Sequence, residues 1–287
     1  MTTALLPRSL EEAVAQKRAA PDALAVAGGT DVMVAINSGA LHPSALLDVS
    51  HVEELQEWRR HDGHVFVGAG VTFARLAGEL TGNRPLVEAA RALGSPQIRR
   101  RATLGGNVGT ASPAGDGLTV LAAYDAEIVL ASEQGRRRLR WDEYLVGPKR
   151  TALRPDELIV GVEWAAVDGP GSFAKVGTRN AMVIAIASVA LQLDTANRTV
   201  RLALGSVGPT VLRARAAEAY AAEALPWAEP AQPLAEETIG EFGLLASRAA
   251  QPIDDLRGTA AYRRRAIDVL ARRTLAWTYD DWRAGRC

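Results

Sequence analysis

The chain has 287 residues, 48% of them hydrophobic and 23% charged, enough apolar material for a substantial core and too much for a disordered protein. Lys plus Arg and Asp plus Glu each number 33, for a formal net charge of +0, so the balance calls for neither nucleic acid nor an anionic membrane as a partner. A lone cysteine, Cys287, excludes an internal disulfide framework, and one thiol cannot hold an iron–sulfur cluster, so any such centre belongs to another chain.

The start, MTTALLPRSLEEA, lacks a basic segment followed by an apolar one, so no signal peptide is expected. No run of about twenty apolar residues suggests a membrane span. A cytoplasmic protein is the expectation.

Taken in order, Ser9 is placed to cap a helix that runs to about Ala20, with Glu12 completing a capping box. LAVAG reads as a short buried strand delivering a glycine turn, AVAGGTDVM, residues 25–33. Thr30 and Asp31 stand at the mouth of a helix ending at Gly39. A strand-to-turn-to-helix passage aims backbone N–H groups at an anion. SALLDVS is a further strand and VEELQEW a connecting turn or helix. Asp62-Gly63 marks a hairpin turn.

Gly68-Ala69-Gly70 opens like a dinucleotide fingerprint, but Phe73 stands where the third glycine belongs, so a tight turn with Thr72 capping a helix is expected instead. Pro85 to Leu93 is a helix. Three consecutive arginines, Arg99 to Arg101, follow; such a run forms a solvated face or pairs with carboxylates more often than it binds phosphate.

The stretch RATLGGNVGTASPAGDGLTVLAAYDA, residues 101–126, is the chain's most distinctive. Gly105 and Gly106 let bare backbone approach a charged group. Thr103, Asn107, Thr110 and Ser112 surround them with short polar side chains. Such a turn cradles phosphate by pooling main-chain and side-chain donors. An apolar helix and strand then run to Ser132. Two Gly-Gly turns of like chemistry suggest two sides of one diphosphate.

Further along, DELIVGVEW is a strand, and AVDGPG, residues 166–171, is the clearest linker. GSFAKVGT, VIAIASVALQLD and TVRLALGSVG suggest three antiparallel strands. Three helices close the chain, the last from Ala260 to about Trp282. Strands followed by helices fit an α+β domain with helices on one face of a small sheet. His42, His51, His61 and His64 have no cysteine companions, and His61 and His64 flank a hairpin, so zinc is not expected. Neither a G-x-x-x-x-G-K-S/T nor a G-x-S-x-G motif occurs.

The two glycine turns, in this order, resemble those of the FAD-binding (medium) subunit of molybdenum hydroxylases, the family that includes carbon monoxide dehydrogenase and the flavin portion of xanthine dehydrogenase. The resemblance runs nearly end to end. It implies an α+β fold: a two-subdomain FAD-binding domain of the PCMH type over 1–167, with subdomains of about 1–57 and 58–167, then a C-terminal α+β domain over 168–287 with a small antiparallel sheet and helices.

It also implies FAD held without a covalent bond. Ala27, Gly28, Gly29, Thr30 and Asp31 would grip one side of the diphosphate, and Thr103, Leu104, Gly105, Gly106 and Asn107 the other. Thr110 matches a further polar contact, Asp116 an acid that holds the adenosine ribose, Ile159 an apolar neighbour of the cofactor and Lys175 a lysine near the flavin ring. No residue of this chain is expected to be catalytic or to bind metal. The molybdenum cofactor would sit on a large partner subunit and 2Fe–2S clusters on a small one, with electrons passing through FAD to an acceptor.

Two departures stand out. Thr30-Asp31 replaces a commoner His or Gln followed by Ser, and Arg179-Asn180-Ala181-Met182-Val183 replaces an Arg-Arg-Ala-x-Asp pattern near the flavin edge. The residues alone leave other readings open. Thr103 and Asp116 could simply cap helices, and Lys175 could be an ordinary strand residue. The chain could also be a stand-alone FAD-dependent oxidoreductase acting on a small organic substrate, or a nucleotide-binding regulator without redox chemistry.

Overall fold

The computed structural model describes residues 2–228 and 232–286; Cys287 lies outside the described residues. The chain forms two compact units that it visits in turn: Met1–Arg75, Ser95–Ala111 and Asp125–Ala166 in the first, Leu76–Gly94, Ser112–Tyr124 and Val167–Cys287 in the second.

The first unit begins with β1 (Thr3–Leu5), α1 (Leu10–Ala19), β2 (Leu24–Val26), α2 (Val32–Asn37) and β3 (Ala45–Asp48). The three strands form a parallel sheet in the order β1-β3-β2. Ser9 caps α1, its Oγ accepting the Glu12 N–H at 3.2 Å, but the Glu12 carboxylate takes the Arg8 N–H at 2.8 Å. The expected capping box is thus closed one residue earlier.

A hairpin follows, β4 (Trp58–His61) and β5 (His64–Gly68). Asp62 (φ 47°) and Gly63 (φ 73°) both take the left-handed conformation that a two-residue hairpin turn of this twist requires. Gly68 and Gly70 have a packing reason: an added Cβ would lie 2.3 Å from the Leu55 carbonyl oxygen or 2.3 Å from the Gln56 amide nitrogen.

Helix α3 (Phe73–Glu79) carries the chain into the second unit, where α4 (Arg84–Ala92) lies. The chain returns with α5 (Pro96–Arg101), capped by Ser95, and α6 (Leu104–Thr110). It leaves again for α7 (Asp116–Ala123). Back in the first unit come β6 (Glu127–Ser132), β7 (Gly135–Arg140), α8 (Trp141–Tyr144), the short pair β8 (Leu145–Gly147) and β9 (Arg150–Thr151), and β10 (Leu158–Ala165). Strands β4-β5-β10-β6-β7 make an antiparallel sheet. Alternate residues on one face, among them Phe66, Val129, Ala131 and Val160, pack with Leu10, Ala13, Val14 and Leu47 into this unit's core.

The second unit is completed by β11 (Gly171–Val176), β12 (Ala187–Asp194), β13 (Thr199–Gly205), β14 (Leu212–Arg213), α9 (Arg215–Ala224), α10 (Glu236–Ala249) and α11 (Ala260–Arg283). The four strands form an antiparallel sheet in sequence order. Every residue of β12 is buried, so both faces of the sheet need a cover. Ala187, Val189, Leu191 and Leu193 point to one face and meet Phe242, Ala246, Ile267, Ala271 and Leu275 of α10 and α11.

The expectation that helices cover only one face is corrected here. The opposite face, with Ser188 and Gly205, is closed by α7, whose Thr119 Oγ lies 3.4 Å from the Ser188 Oγ. Helix α4 docks beside it: the Glu88 carboxylate accepts the Phe173 N–H at 2.7 Å and the Ser172 hydroxyl at 3.1 Å. A second difference is the late start of β12. Residues 183–186 lie before the strand: the Val183, Ala185 and Ile186 carbonyls accept from the side chains of Lys175, Ser206 and Arg263, and the Ile186 N–H reaches the Val176 carbonyl of β11 at 2.8 Å.

Candidate cofactor site

The first glycine segment, residues 27–31, links β2 to α2. Gly28 lies so close to the chain before α6 that an added Cβ would sit 1.9 Å from the Arg101 carbonyl oxygen, far inside non-bonded contact with backbone. Gly29 (φ +73°) turns the backbone in the left-handed conformation that glycine adopts without strain. Among the described residues, the N–H groups of Gly28, Gly29, Thr30 and Asp31 meet no protein acceptor. The helix that follows is anchored behind them by the Met33 N–H on the Gly29 carbonyl at 3.0 Å.

The second glycine segment is not the irregular turn the sequence suggests. Residues 104–110 are helix α6, with Thr103 as its cap; the Thr103 Oγ accepts the Gly106 N–H at 3.0 Å. The Leu104 N–H donates to the Val71 carbonyl at 3.0 Å and the Gly105 N–H to the Ala69 carbonyl at 2.9 Å. The donors of Leu104, Gly105 and Gly106 are therefore engaged within the chain. Glycine at 105 serves close packing, since a Cβ there would meet Ala69 at 2.4 Å.

The two segments are neighbours. Besides the Gly28–Arg101 approach, the Thr110 hydroxyl donates to the Asp31 carboxylate at 3.0 Å. Asn107 keeps a buried side-chain oxygen without a partner. Ile159 is half-buried on β10 at a register shift and packs toward α6; a Cβ on Gly109 would lie 3.3 Å from its Cδ1. Of the residues expected in the site, Ala27, Gly28, Gly29, Thr30, Asp31, Thr103, Leu104, Gly105, Gly106, Asn107, Thr110 and Ile159 all lie in this first unit.

Asp116 and Lys175 lie in the second unit, and they are joined. Asp116 opens α7, where a carboxylate suits the positive end of the helix. Lys175 reaches it from β11, Nζ to Oδ2 at 2.5 Å, with side-chain exposures of 10% and 6%. The same Nζ donates to the Val183 carbonyl at 3.2 Å. The other Asp116 oxygen is buried and unpartnered. Burial pushes the Asp116 carboxyl above its ordinary range, and the Lys175 ammonium partly opposes that. An open carboxylate oxygen in such a place is one ready acceptor for a ligand hydroxyl.

Sequence reasoning placed Asp116 and Lys175 in separate roles and missed the bond between them, and it missed the part played by the Val183 carbonyl. No local signal links positions that are 59 residues apart.

The histidines have other duties. The His61 Nε2 pairs with the Glu163 carboxylate at 2.9 Å, and the His64 Nδ1 lies 3.0 Å from the Asp62 carbonyl. Among the described residues no group of His, Cys, Asp or Glu is arranged to hold a metal ion. No helix of the described residues is long and apolar enough to cross a membrane.

Within the first unit, the open N–H groups of residues 28–31 suit a diphosphate and Asn107 keeps an orphan amide oxygen; within the second, Asp116 keeps an orphan carboxylate oxygen that suits a hydroxyl. Residues 1–164 match the family described as FAD binding domain in molybdopterin dehydrogenase, and residues 172–278 match that described as CO dehydrogenase flavoprotein C-terminal domain. The nicotine 6-hydroxylase medium subunit of Paenarthrobacter nicotinovorans is 30% identical, over 94% of this chain and 94% of its own. The nicotinate dehydrogenase FAD-subunit of Eubacterium barkeri is 32% identical over 66% of this chain and 68% of its own. Among solved structures, a chain of carbon monoxide dehydrogenase from Hydrogenophaga pseudoflava is 28% identical and superposes with a TM-score of 0.86, covering 97% of this chain and 98% of that one.

Proposed function

This chain belongs to the family of FAD-binding subunits of molybdopterin dehydrogenases, and from that premise we propose that it is the medium, flavin-carrying subunit of a cytoplasmic molybdenum hydroxylase-type dehydrogenase. FAD, held without a covalent bond, supplies the redox chemistry, receiving electrons from 2Fe–2S clusters of a small partner and passing them to an acceptor. The molybdenum cofactor resides on a large partner. The domains by this reading are 1–167, which binds FAD, and 168–287.

The observation that carries the reading is the run of open N–H groups from Gly28 to Asp31, fixed against the Arg101 carbonyl by a glycine that nothing larger can replace. These groups hold the diphosphate. The second segment contributes a different quality. The exposed Gly106 gives the anion a surface without side chain, while Asn107 and Thr110 add polar atoms. Ile159 supports α6 from β10. Asp116 accepts from a ribose hydroxyl through its open oxygen. Lys175 offsets negative charge that develops on a reduced ring, the general use of a fixed cation in a site shielded from water.

Purification from the native host tests this reading against a flavoprotein working alone. Molybdenum and iron that co-elute with the yellow chain in fixed ratio support it. A yellow monomer, free of both metals and active on an organic substrate, overturns it.

A further inference from the structure

The antiparallel sheet of the first unit carries a cleft that the flavin reading does not use. It has a volume of about 320 Å³ and is lined by Phe66, Val129 and Glu163 with arginines on both sides. Arg59 rises from β4 and lies over the Phe66 ring, 4.3 Å from its centroid. Arg136 and Arg138 come from β7 on the opposite edge of the sheet.

The charges do not cancel. Arg138 is bound to Glu163 and lies 3.2 Å from Glu127; Glu163 also receives His61 at 2.9 Å. Arg137 is spent on Glu157, at 2.5 and 2.8 Å, and on the Ala152 carbonyl. Arg59 and Arg136 make no ion pair among the described residues. Glu163, at 5% side-chain exposure, cannot turn away to neutralise them.

From this we infer that the cleft is a binding site for a small organic dianion, a phosphate monoester or a dicarboxylate, whose two charges are met by the Arg136 and Arg59 guanidiniums. Arginine is suited to the task because its planar fork donates two parallel hydrogen bonds to a carboxylate or phosphate. Phe66 and Val129, each 4% exposed, close the cleft from below, and the volume is at the small end of ligand sites. Glu163 and Arg138, bonded to each other, complete the lining. This inference is independent of the flavin site: the two share only β10, which carries Glu163 in the cleft and Ile159 in the flavin site.

Calorimetric titration of the flavin-loaded full chain with glycerol 3-phosphate, succinate and acetate at low ionic strength tests it. Saturable binding of glycerol 3-phosphate, of succinate or of both, with acetate much weaker, is expected, and which dianion wins identifies the ligand class. Arg136→Gln and Arg59→Gln, both at exposed side chains, each weaken that binding by about tenfold or more, while Arg60→Gln, the next residue on β4 and on the other face, leaves it unchanged. Flavin content stays constant in all three variants. The inference is overturned if no dianion binds saturably, if acetate binds as well as succinate, or if Arg60→Gln costs as much as Arg136→Gln.

Discussion

The Thr110 hydroxyl donates to the Asp31 carboxylate at 3.0 Å, and through that bond the end of one glycine segment is tied to the end of the other. Thr110 closes α6, whose start is fixed by the Thr103 cap; Asp31 stands at the start of α2. The bond therefore sets the spacing between an open run of N–H donors and a helix whose own donors are engaged.

Thr110→Val keeps the shape and removes the donor. The expected outcome is a loss of about 1 kcal/mol of FAD affinity, or about fivefold, because the spacing is no longer held. Equilibrium dialysis with FAD measures it. Overall stability, followed by urea denaturation, should move less than the affinity does.

Gly105 and Gly106 should answer differently to substitution although they are adjacent. A Cβ at 105 would lie 2.4 Å from the Ala69 Cβ, whereas at 106 the nearest contact is the Thr103 Oγ at 3.1 Å. Gly105→Ala is expected to destabilise the fold by about 1–3 kcal/mol through overpacking. Gly106→Asp should leave the fold nearly intact and abolish flavin retention by placing bulk and like charge beside the diphosphate. Melting temperature and the ratio of flavin to protein absorbance separate the two effects.

Lys175→Met leaves a buried carboxylate without its counter-charge. The expected cost is about 3–5 kcal/mol in stability, and Asp116→Leu in the same chain should recover most of it. Where flavin is retained, the lysine variant should show a more negative reduction potential, since a cation that favours the reduced ring is gone. A chain that loses no stability with Lys175→Met would show that the pair seen in the structure does not form in solution.

The pH dependence has a definite sign. Asp116 has its carboxyl raised above the ordinary 3.8 by burial, with Lys175 opposing. A raised folded value means that the folded state holds the proton more tightly than the unfolded one. The contribution is therefore complete below 3.8 and is lost as pH rises through the folded value. Asp116→Asn does not titrate, so the stability of the natural chain relative to this variant should fall as pH rises across that window. Denaturant melts at a series of pH values measure the difference; a difference that grows with pH would contradict the assignment.

Much of the fold is legible where the signal is local. The Asp62-Gly63 turn declares itself by two residues that tolerate positive φ, and the buried face of α11, Ile267, Leu270, Ala271, Thr274, Leu275, Thr278 and Tyr279, follows helical spacing. The pairing of β12 with β13 follows from the short turn between two apolar runs, residues 195–198.

What escaped the sequence was decided at a distance. Gly105 and Gly106 are poor helix formers, yet they lie in α6 because Thr103 caps it and the Val71 and Ala69 carbonyls take its first donors. The cover that α4 and α7 give to the second face of the β11–β14 sheet depends on chain segments far from its strands. The Asp116–Lys175 pair depends on the same packing, since it joins the start of α7 to β11. The glycine segments were visible as chemistry, but which of them keeps free donors is a matter of neighbours.

The most direct test of the account is a titration of the isotope-labelled chain with FAD, followed by its backbone amide resonances. The account predicts that Gly28, Gly29, Thr30 and Asp31 shift most and saturate at one flavin per chain, while the Leu104 and Gly105 amides, already bonded to Val71 and Ala69, shift little. Saturable flavin binding that leaves the 28–31 amides unmoved would contradict it.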